Sequence, residues 1–431
     1  MLKNLNIENP KRNNLARKGS ASWYQYYAGF SSKFAKSLLE SAKLNLNSVI
    51  VDSWNGSGTT TETASVLGYK TFGFDLNPVM VIVAKAKMLN RREKPSINPL
   101  LAEIIKRTKS KCRRKNSNDL LCLWFTENSI SHVRKLESVI QTLLVDENNY
   151  KRLKDRDIAN ELSDFASFFY TALFRALRIV LKPFLATNPT WIKKAKSDEE
   201  LINFNLNFLL KVFQDEISKM TSAIDADSYC TLTQDRCSLQ VASSNKLPLK
   251  SNSIDFVLSS PPYCTRIDYA VATMPELAIL GYSKNSLREL RNKLIGTSTI
   301  LKSTPEISND WGKTCNDFLA KILSHKSRAS ETYYYKNHLQ YYDSIYKSLS
   351  EIKRTLRPGG ACVLVIQDSY YKEIHNDLPK IFIEMGKTNG LKLNHRVDFN
   401  QSQTMAGINP QVKQYRKKFS ATESVLCFTN E

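Results

Sequence analysis

No apolar run in this chain approaches the roughly 18 residues that a helix needs to cross a bilayer. The opening stretch, MLKNLNIENPKRNN, lacks the apolar core of a secretory signal. Membrane-spanning and secreted classes are therefore not expected, and the expectation is a soluble protein of the cytoplasm. The eight cysteines (Cys112, Cys122, Cys230, Cys237, Cys264, Cys315, Cys362 and Cys427) include no C-x-x-C pair, and the five histidines do not cluster with them. Structural zinc sites need such spacings, so reduced, mostly structural thiols and no metal are expected. Internal repeats and low-complexity tracts are also missing. Acid is scarce: 41 Asp and Glu stand against 62 Lys and Arg, a formal charge of +21. A surface that basic attracts phosphate backbones or anionic lipid, so a polyanionic partner is expected.

At 431 residues the chain exceeds an ordinary domain of about 100 to 200 residues, which implies two units or one domain with large insertions. Residues 1–20 are polar, basic and without periodicity, and read as a flexible arm. Ser48 to Asp52 is a β-branched run ending in an acid, Thr59 to Leu67 has helical spacing, and Lys70 to Asp75 is a second strand-like run ending in an acid. Strand, glycine turn, helix and strand make a βαβ unit, so residues 21–85 read as the first half of an α/β domain. Residues 86–225 break the rhythm: they are helix-like, rich in Lys, Arg, Phe and Leu, and read as a helical insertion. The rhythm resumes over 226–431, with strands expected at Tyr229–Asp235, Ile254–Ser259 and Ala361–Ile366, the last after a turn at Arg357–Gly360. Leu391–Val397 and Glu423–Phe428 are expected to pair antiparallel and close the sheet edge. A lid or insertion is expected over about 265–345.

The segment Val51-Asp-Ser-Trp-Asn-Gly-Ser-Gly-Thr-Thr60 sets Gly56 and Gly58 just after a strand, where a tight turn lets backbone approach a ligand at a helix N-terminus. A dinucleotide fingerprint wants a third glycine three residues on, and Thr61 stands there instead. S-adenosylmethionine has no phosphate and needs the close approach without an anion cradle, and its cationic amino group favours a carboxylate such as Asp52. Asp75 lies 23 residues further on, near the spacing of about 20 at which a carboxylate takes ribose hydroxyls. A turn with a purely structural role is the alternative.

Ser260-Pro-Pro-Tyr263 follows the expected strand Ile254–Ser259 directly. Two consecutive prolines stiffen a loop at the carboxyl edge of the sheet, where open α/β proteins bind ligands. An exocyclic amine on a base is a poor nucleophile because its lone pair is delocalised into the ring. Acceptors aimed at its N–H groups help to turn the lone pair out of plane. The Ser260 hydroxyl oxygen and the Pro261 carbonyl are the natural acceptors, Pro262 stiffens the loop, and Tyr263 can stack on a base rotated out of the helix. The plain alternative is a turn before an unrelated helix.

On Asp52–Thr60, Ser260–Tyr263 and the connection Asp235 to Leu258, the chain resembles the amino-methyltransferase family of bacterial DNA-modification enzymes. The resemblance implies a Rossmann-like class I methyltransferase sheet, mostly parallel with an antiparallel last strand, interrupted here by a large helical insertion. It implies S-adenosylmethionine as cofactor and sequence-specific double-stranded DNA as substrate, and leaves open a cognate restriction endonuclease acting separately. A tetrapeptide beginning with Ser is similar to that of cytosine-N4 enzymes, whereas Asp or Asn is commoner among adenine-N6 enzymes. The cofactor contacts it implies are Asp52, Trp54, Gly56, Gly58, Thr59, Asp75 and Leu76, with Asp235 at the adenine and Phe30 and Ser31, within Tyr26–Phe34, at the methionine end. Two features depart from the family pattern: its Asp-Pro-Phe turn reads Asp52-Ser-Trp54 here, and the tetrapeptide follows the glycine turn by about two hundred residues. Adenine-N6 methylation, methylation of an RNA amino group, and a DNA-binding module without activity are the competing functions. Localisation with the nucleoid would follow from DNA as substrate.

Phosphate contacts are expected from Lys193 and Lys194 beside Trp191, from Arg266 and from Arg416 and Lys417. The run Lys106 to Lys115 is the densest positive charge and reads equally as a solvated helix face. Arg266 and Asp268 could instead pair with each other, and the tyrosines at 333–335 and 341–342 read chiefly as packing against the sheet.

Overall fold

The computed structural model describes residues 5–11, 19–25, 29–110, 119–147, 153, 156–186, 188, 190–226, 236–264, 267–401, 415 and 420–431. Its strands are β1 (Val49–Asp52), β2 (Lys70–Asp75), β3 (Cys237–Val241), β4 (Ile254–Ser259), β5 (Leu356–Gln367), β6 (Ser369–Tyr371), β7 (Ile374–Asn376), β8 (Leu391–Gln401) and β9 (Ala421–Asn430). Seven of them form one sheet in the order β3-β2-β1-β4-β5-β9-β8. β1 to β5 run parallel, and β9 lies antiparallel between β5 and β8. This is the Rossmann-like class I methyltransferase sheet, with its last strand reversed. β6 and β7 make a separate hairpin.

The helices are α1 (Ser32–Ser41), α2 (Thr59–Val66), α3 (Pro78–Ala86), α4 (Lys94–Ser110), α5 (Glu127–Leu144), α6 (Arg156–Glu161), α7 (Asp164–Val180), α8 (Leu206–Ala226), α9 (Tyr269–Ala272), α10 (Met274–Ile279), α11 (Lys284–Lys293), α12 (Lys313–Leu323), α13 (Tyr335–Thr355) and α14 (Leu378–Thr388). Side chains alternate across each central strand and so feed two cores. Phe256, Leu258, Val363 and Val365 pack on α1 and α2, with Phe34, Leu38 and Ala64. Val257, Cys362 and Leu364 pack on α12, α13 and α14, with Phe318, Ile345 and Phe382. A third core belongs to the helices. α7, capped by Ser163, is apolar nearly all round, and Phe168, Phe169, Tyr170, Leu173, Phe174 and Leu177 are buried. It packs on α3, α5, α8 and α10. Residues of α9, α10 and α11 share this core although they follow the tetrapeptide, while α12 and α13 belong to the sheet.

One expectation shifts, one falls outside the described residues, and one element was not expected. The expected strand Tyr229–Asp235 lies outside the described residues, and the strand that pairs with β2 is the next apolar alternation, Cys237–Val241. Arg357–Gly360 is not a turn before a strand but an irregularity inside β5. The pairing with β4 passes from Ile254↔Leu356 to Phe256↔Ala361, and Gly359 supplies the positive φ (+77°) that the bulge requires. The β6–β7 hairpin, inserted between β5 and α14, had no expectation attached to it.

Among the described residues no helix is long and apolar enough to cross a membrane, and no group of His, Cys, Asp or Glu is placed to hold a metal ion. The described cysteines are all free thiols.

Candidate active site

The strand order reverses between β1 and β4, and the crevice beyond their carboxyl ends is where open α/β sheets take ligands. β1 ends in Asp52 and β4 in Ser259, side by side. The Ser259 hydroxyl donates to Asp52 Oδ1, and Trp54 N approaches both Asp52 Oδ1 (3.1 Å) and Ser259 Oγ (3.2 Å). Thr60 Oγ1 donates to Leu258 O at 3.1 Å. The glycine turn is therefore bolted to the root of the tetrapeptide. Ser259, adjacent to the motif, is a connection that the sequence pattern alone did not single out.

Asp75 closes the turn from the other side, accepting from Gly56 N (2.9 Å) and Asn77 N (2.8 Å). Asn77 caps α3 through Val79 N (3.1 Å) and donates to Thr273 Oγ1 (2.9 Å), which ties the turn to the helical core. Burial pushes both carboxyls up to about 6; hydrogen bonds from Ser259, Thr60 and Trp54 partly offset this at Asp52, and those from Asn77 and Gly56 at Asp75. Ser53 Oγ and Trp54 Nε1 are buried without a protein partner. Gly58 has φ +83°, and a Cβ there would meet Ala84 Cβ at 2.9 Å. The close approach expected of a ligand is, at this glycine, the approach of α3.

Thr59 starts α2, and Leu76 packs against the helical core. Phe30 is buried edge-to-face on Phe34 (ring centres 5.2 Å apart), and Ser31 Oγ caps α1 by accepting from Phe34 N at 3.2 Å. Asp235, Arg266, Arg416 and Lys417 lie outside the described residues, as do Tyr26–Ala28 and residues 111–115 of the basic run.

The tetrapeptide is held at several points. Ser260 Oγ donates to Val365 O of β5 at 3.0 Å. With its proton so engaged, that oxygen keeps lone pairs free to accept a hydrogen bond. Pro261 is buried; Pro262 O accepts from Tyr341 Oη (3.0 Å), and Tyr263 N donates to Tyr269 Oη (3.3 Å). Gly296 (φ +77°) lies against the loop: a Cβ there would meet Tyr263 O at 2.8 Å. The following segment is strapped to the start of α13, with Tyr333 Oη on Ser298 O (2.8 Å), Asn337 Nδ2 on Thr297 O (2.7 Å) and Gln340 Nε2 on Thr299 O (3.1 Å). The four-residue spacing of Tyr333, Asn337 and Tyr341 was the available signal, since it puts them on one helical face. Tyr341 and Tyr342 do pack into the sheet core, but Tyr341 also reaches the loop. Asp268 pairs with Arg291 (Nε to Oδ2, 2.7 Å).

Lys193 and Lys194 are exposed on the connection between α7 and α8, beside Trp191, which is 56% exposed. Backbone bonds fix this connection: Lys193 N donates to Phe184 O (2.9 Å), and Lys193 O accepts from Trp124 Nε1 (2.7 Å). It follows the end of α7 that meets α10 through Arg178 and Glu276, the same end that Thr273 and Asn77 join to the crevice.

No family model matches the chain. It is 27% identical to the type II methyltransferase M.BsoBI of Geobacillus stearothermophilus over 314 residues, 67% of this chain and 58% of that protein. The chain thus spans a little over half the length of that relative. Among solved structures, geranyl diphosphate methyltransferase in complex with SAM is 9% identical, with 93% of this chain and 86% of that one covered and a TM-score of 0.33. The rRNA methyltransferase aviRa of Streptomyces viridochromogenes is also 9% identical, with 97% and 96% covered and a TM-score of 0.30. The fold assignment rests on the strand order, not on these distant likenesses.

Proposed function

We propose that the chain methylates the exocyclic N4 amine of cytosine in a specific sequence of duplex DNA, with S-adenosylmethionine as methyl donor. The observation that carries the reading is Ser260: its hydroxyl proton is engaged by Val365 O, beside the acid–glycine turn at the switch point. An acceptor fixed in that place suits an amine whose lone pair must be freed. Ser in the first place of the tetrapeptide favours cytosine over adenine. The 27% identity to a type II methyltransferase and the +21 charge support DNA.

The turn fits the cofactor. Asp52 and Asp75 offer carboxylates for a cationic amino group and for ribose hydroxyls, and Ser53 Oγ and Trp54 Nε1 are buried groups that still lack a partner. Bound there, S-adenosylmethionine supplies an electrophilic sulfonium methyl. Ser260 Oγ and the Pro261 carbonyl accept from the amine and orient its lone pair, and Tyr263 stacks on the base turned out of the duplex. Tyr341 and Tyr269, through Pro262 O and Tyr263 N, hold the loop still while this happens. Lys193 and Lys194 take phosphates on the helical side.

The test is transfer of labelled methyl to duplex DNA and to transfer RNA, followed by base-resolved analysis. N4-methylcytosine in DNA is the expected product. N6-methyladenine would overturn the cytosine assignment, and label confined to RNA would overturn DNA as substrate.

A further inference from the structure

β5 continues past Val365, the partner of Ser260, into the β6–β7 hairpin, and the end of α12 lies against β7. This corner sits across β4 from the helical body that carries Lys193 and Lys194. Lys321, Lys326 and Arg328 are exposed here and pair with no described acid. An open cavity of about 680 Å³ lies between Lys321 and Lys326 and the hairpin, lined also by His325, Glu373 and Tyr415. Glu373, one acid in that lining, is held by His325 Nε2 at 2.9 Å.

The backbone is strained at the same spot. The hairpin turns through two residues, Lys372 and Glu373, between the paired Tyr371 and Ile374, and Lys372 has φ +54°. Tight hairpins favour glycine in left-handed positions, where an L side chain costs about 1–2 kcal/mol. Ala329, with φ +63°, precedes a single π-helical turn at Ser330–Tyr334. Two of the four non-glycine residues with positive φ among the described residues therefore fall at one corner. Strain and π-turns collect where a side chain or its direction is used. Lys372 Nζ lies 4.1 Å from the centre of the Tyr415 ring, at the rim of the cavity. Beneath it the platform is rigid: Tyr371 Oη bonds Ser327 Oγ (2.9 Å) and Ser330 Oγ (2.6 Å), and its ring packs on Tyr334 and His325.

We infer that this corner, formed by the end of α12, the turn into α13 and the β6–β7 hairpin, holds the phosphate backbone of duplex DNA on the side of the target base opposite Lys193 and Lys194. The inference rests on the proposed function. Cations that pair with no described acid on a braced surface match a fixed polyanion, and a place beyond the carboxyl end of β5, the strand whose Val365 holds Ser260, makes that polyanion the strand flanking the reacting base. A lysine kept where glycine would relax the turn is explained if its charge is needed there.

The experiment measures duplex affinity of the full chain against salt, for the wild type, for Lys321→Gln/Lys326→Gln/Arg328→Gln, and for Lys372→Gly. Each phosphate that a variant no longer neutralises flattens the log–log slope by about 0.9, so the triple variant should have a slope shallower by about 2 to 3. Lys372→Gly should bind more weakly while melting no lower than the wild type, because glycine relieves the left-handed turn. Both variants should keep wild-type affinity for S-adenosylmethionine, which shows the fold intact. A wild type that fails to bind duplex overturns the proposed function itself. A wild type that binds, with unchanged slopes in both variants, overturns only the corner. Weakened binding of structured RNA with duplex binding untouched would give the surface to RNA and overturn the duplex assignment.

Discussion

Replacing Asp52 by Asn should make the ligand-free protein more stable at neutral pH while removing its hold on S-adenosylmethionine. The Asp52 side chain is 4% exposed, and burial raises its carboxyl to about 6 from an ordinary 3.8. The folded state thus holds this proton more tightly than the unfolded chain does. The stability it contributes is fully present below about pH 4 and is lost as pH rises through about 6. The loss by pH 7.5 is on the order of 2–3 kcal/mol. Asparagine does not ionise, and its Oδ1 can still accept from Trp54 N and Ser259 Oγ, so the variant should melt several degrees higher above pH 6. Binding runs the other way, because a cationic ligand selects the carboxylate. At pH 5 about one molecule in eleven carries it and at pH 7.5 nearly all do, so affinity should rise about tenfold, or about 1.4 kcal/mol. Asp75, raised to about 6 in the same crevice, steepens the trend. Calorimetric titration at the two pH values, with melting curves of both proteins, reads all of this. A wild-type affinity that stays flat from pH 5 to 7.5, or Asp52→Asn binding as tightly as the wild type, would refute the reasoning.

Ser260→Ala should lower single-turnover methylation about 10²- to 10³-fold with cofactor affinity unchanged; wild-type turnover would move catalysis off this loop. Tyr341→Phe deletes the bond to Pro262 O and should reduce kcat with little effect on KM; an equal loss in a melting curve would make its role one of stability alone. Gly58→Val forces a side chain into a left-handed position and against Ala84, so the protein should lose stability by a few kcal/mol, and an unchanged melting point would contradict the packing. Lys193→Gln/Lys194→Gln should flatten the salt dependence of duplex binding by about 1 to 2 in slope, and an identical slope would return these lysines to solvent.

The sheet was legible because its strands carry their signal locally. Val49–Asp52, Lys70–Asp75 and Ile254–Ser259 are short apolar runs with turn residues beyond them, and each became a strand. Less legible were features decided by neighbours distant in sequence. Arg357–Gly360 has turn chemistry, yet pairing with β4 draws it into β5 as a bulge. Gly58 looks like room for a ligand until α3 is placed against it. Ser259 binds the glycine turn, and Tyr269 and Gly296 meet the tetrapeptide, through single hydrogen bonds or contacts that no local pattern encodes; Tyr341 was marked only by its four-residue spacing from Tyr333 and Asn337. The hairpin escaped notice because its turn is Lys372-Glu373, without the glycine or asparagine that marks such turns.

The pairing of β1 with β4 bears on how the protein comes into being. Val49 N donates to Asp255 Oδ2 at 2.7 Å, across 206 residues of chain. Between them lies the helical body, which must be spanned before the two central strands can meet. Loop closure of this length slows folding more than it weakens the product. A nascent chain released only through α8 would carry the acid–glycine turn but neither Ser259 nor the tetrapeptide. At the proposed site ligand capture would then come late in folding, and refolding followed by quenching of tryptophan fluorescence on cofactor binding should lag behind the appearance of helical signal.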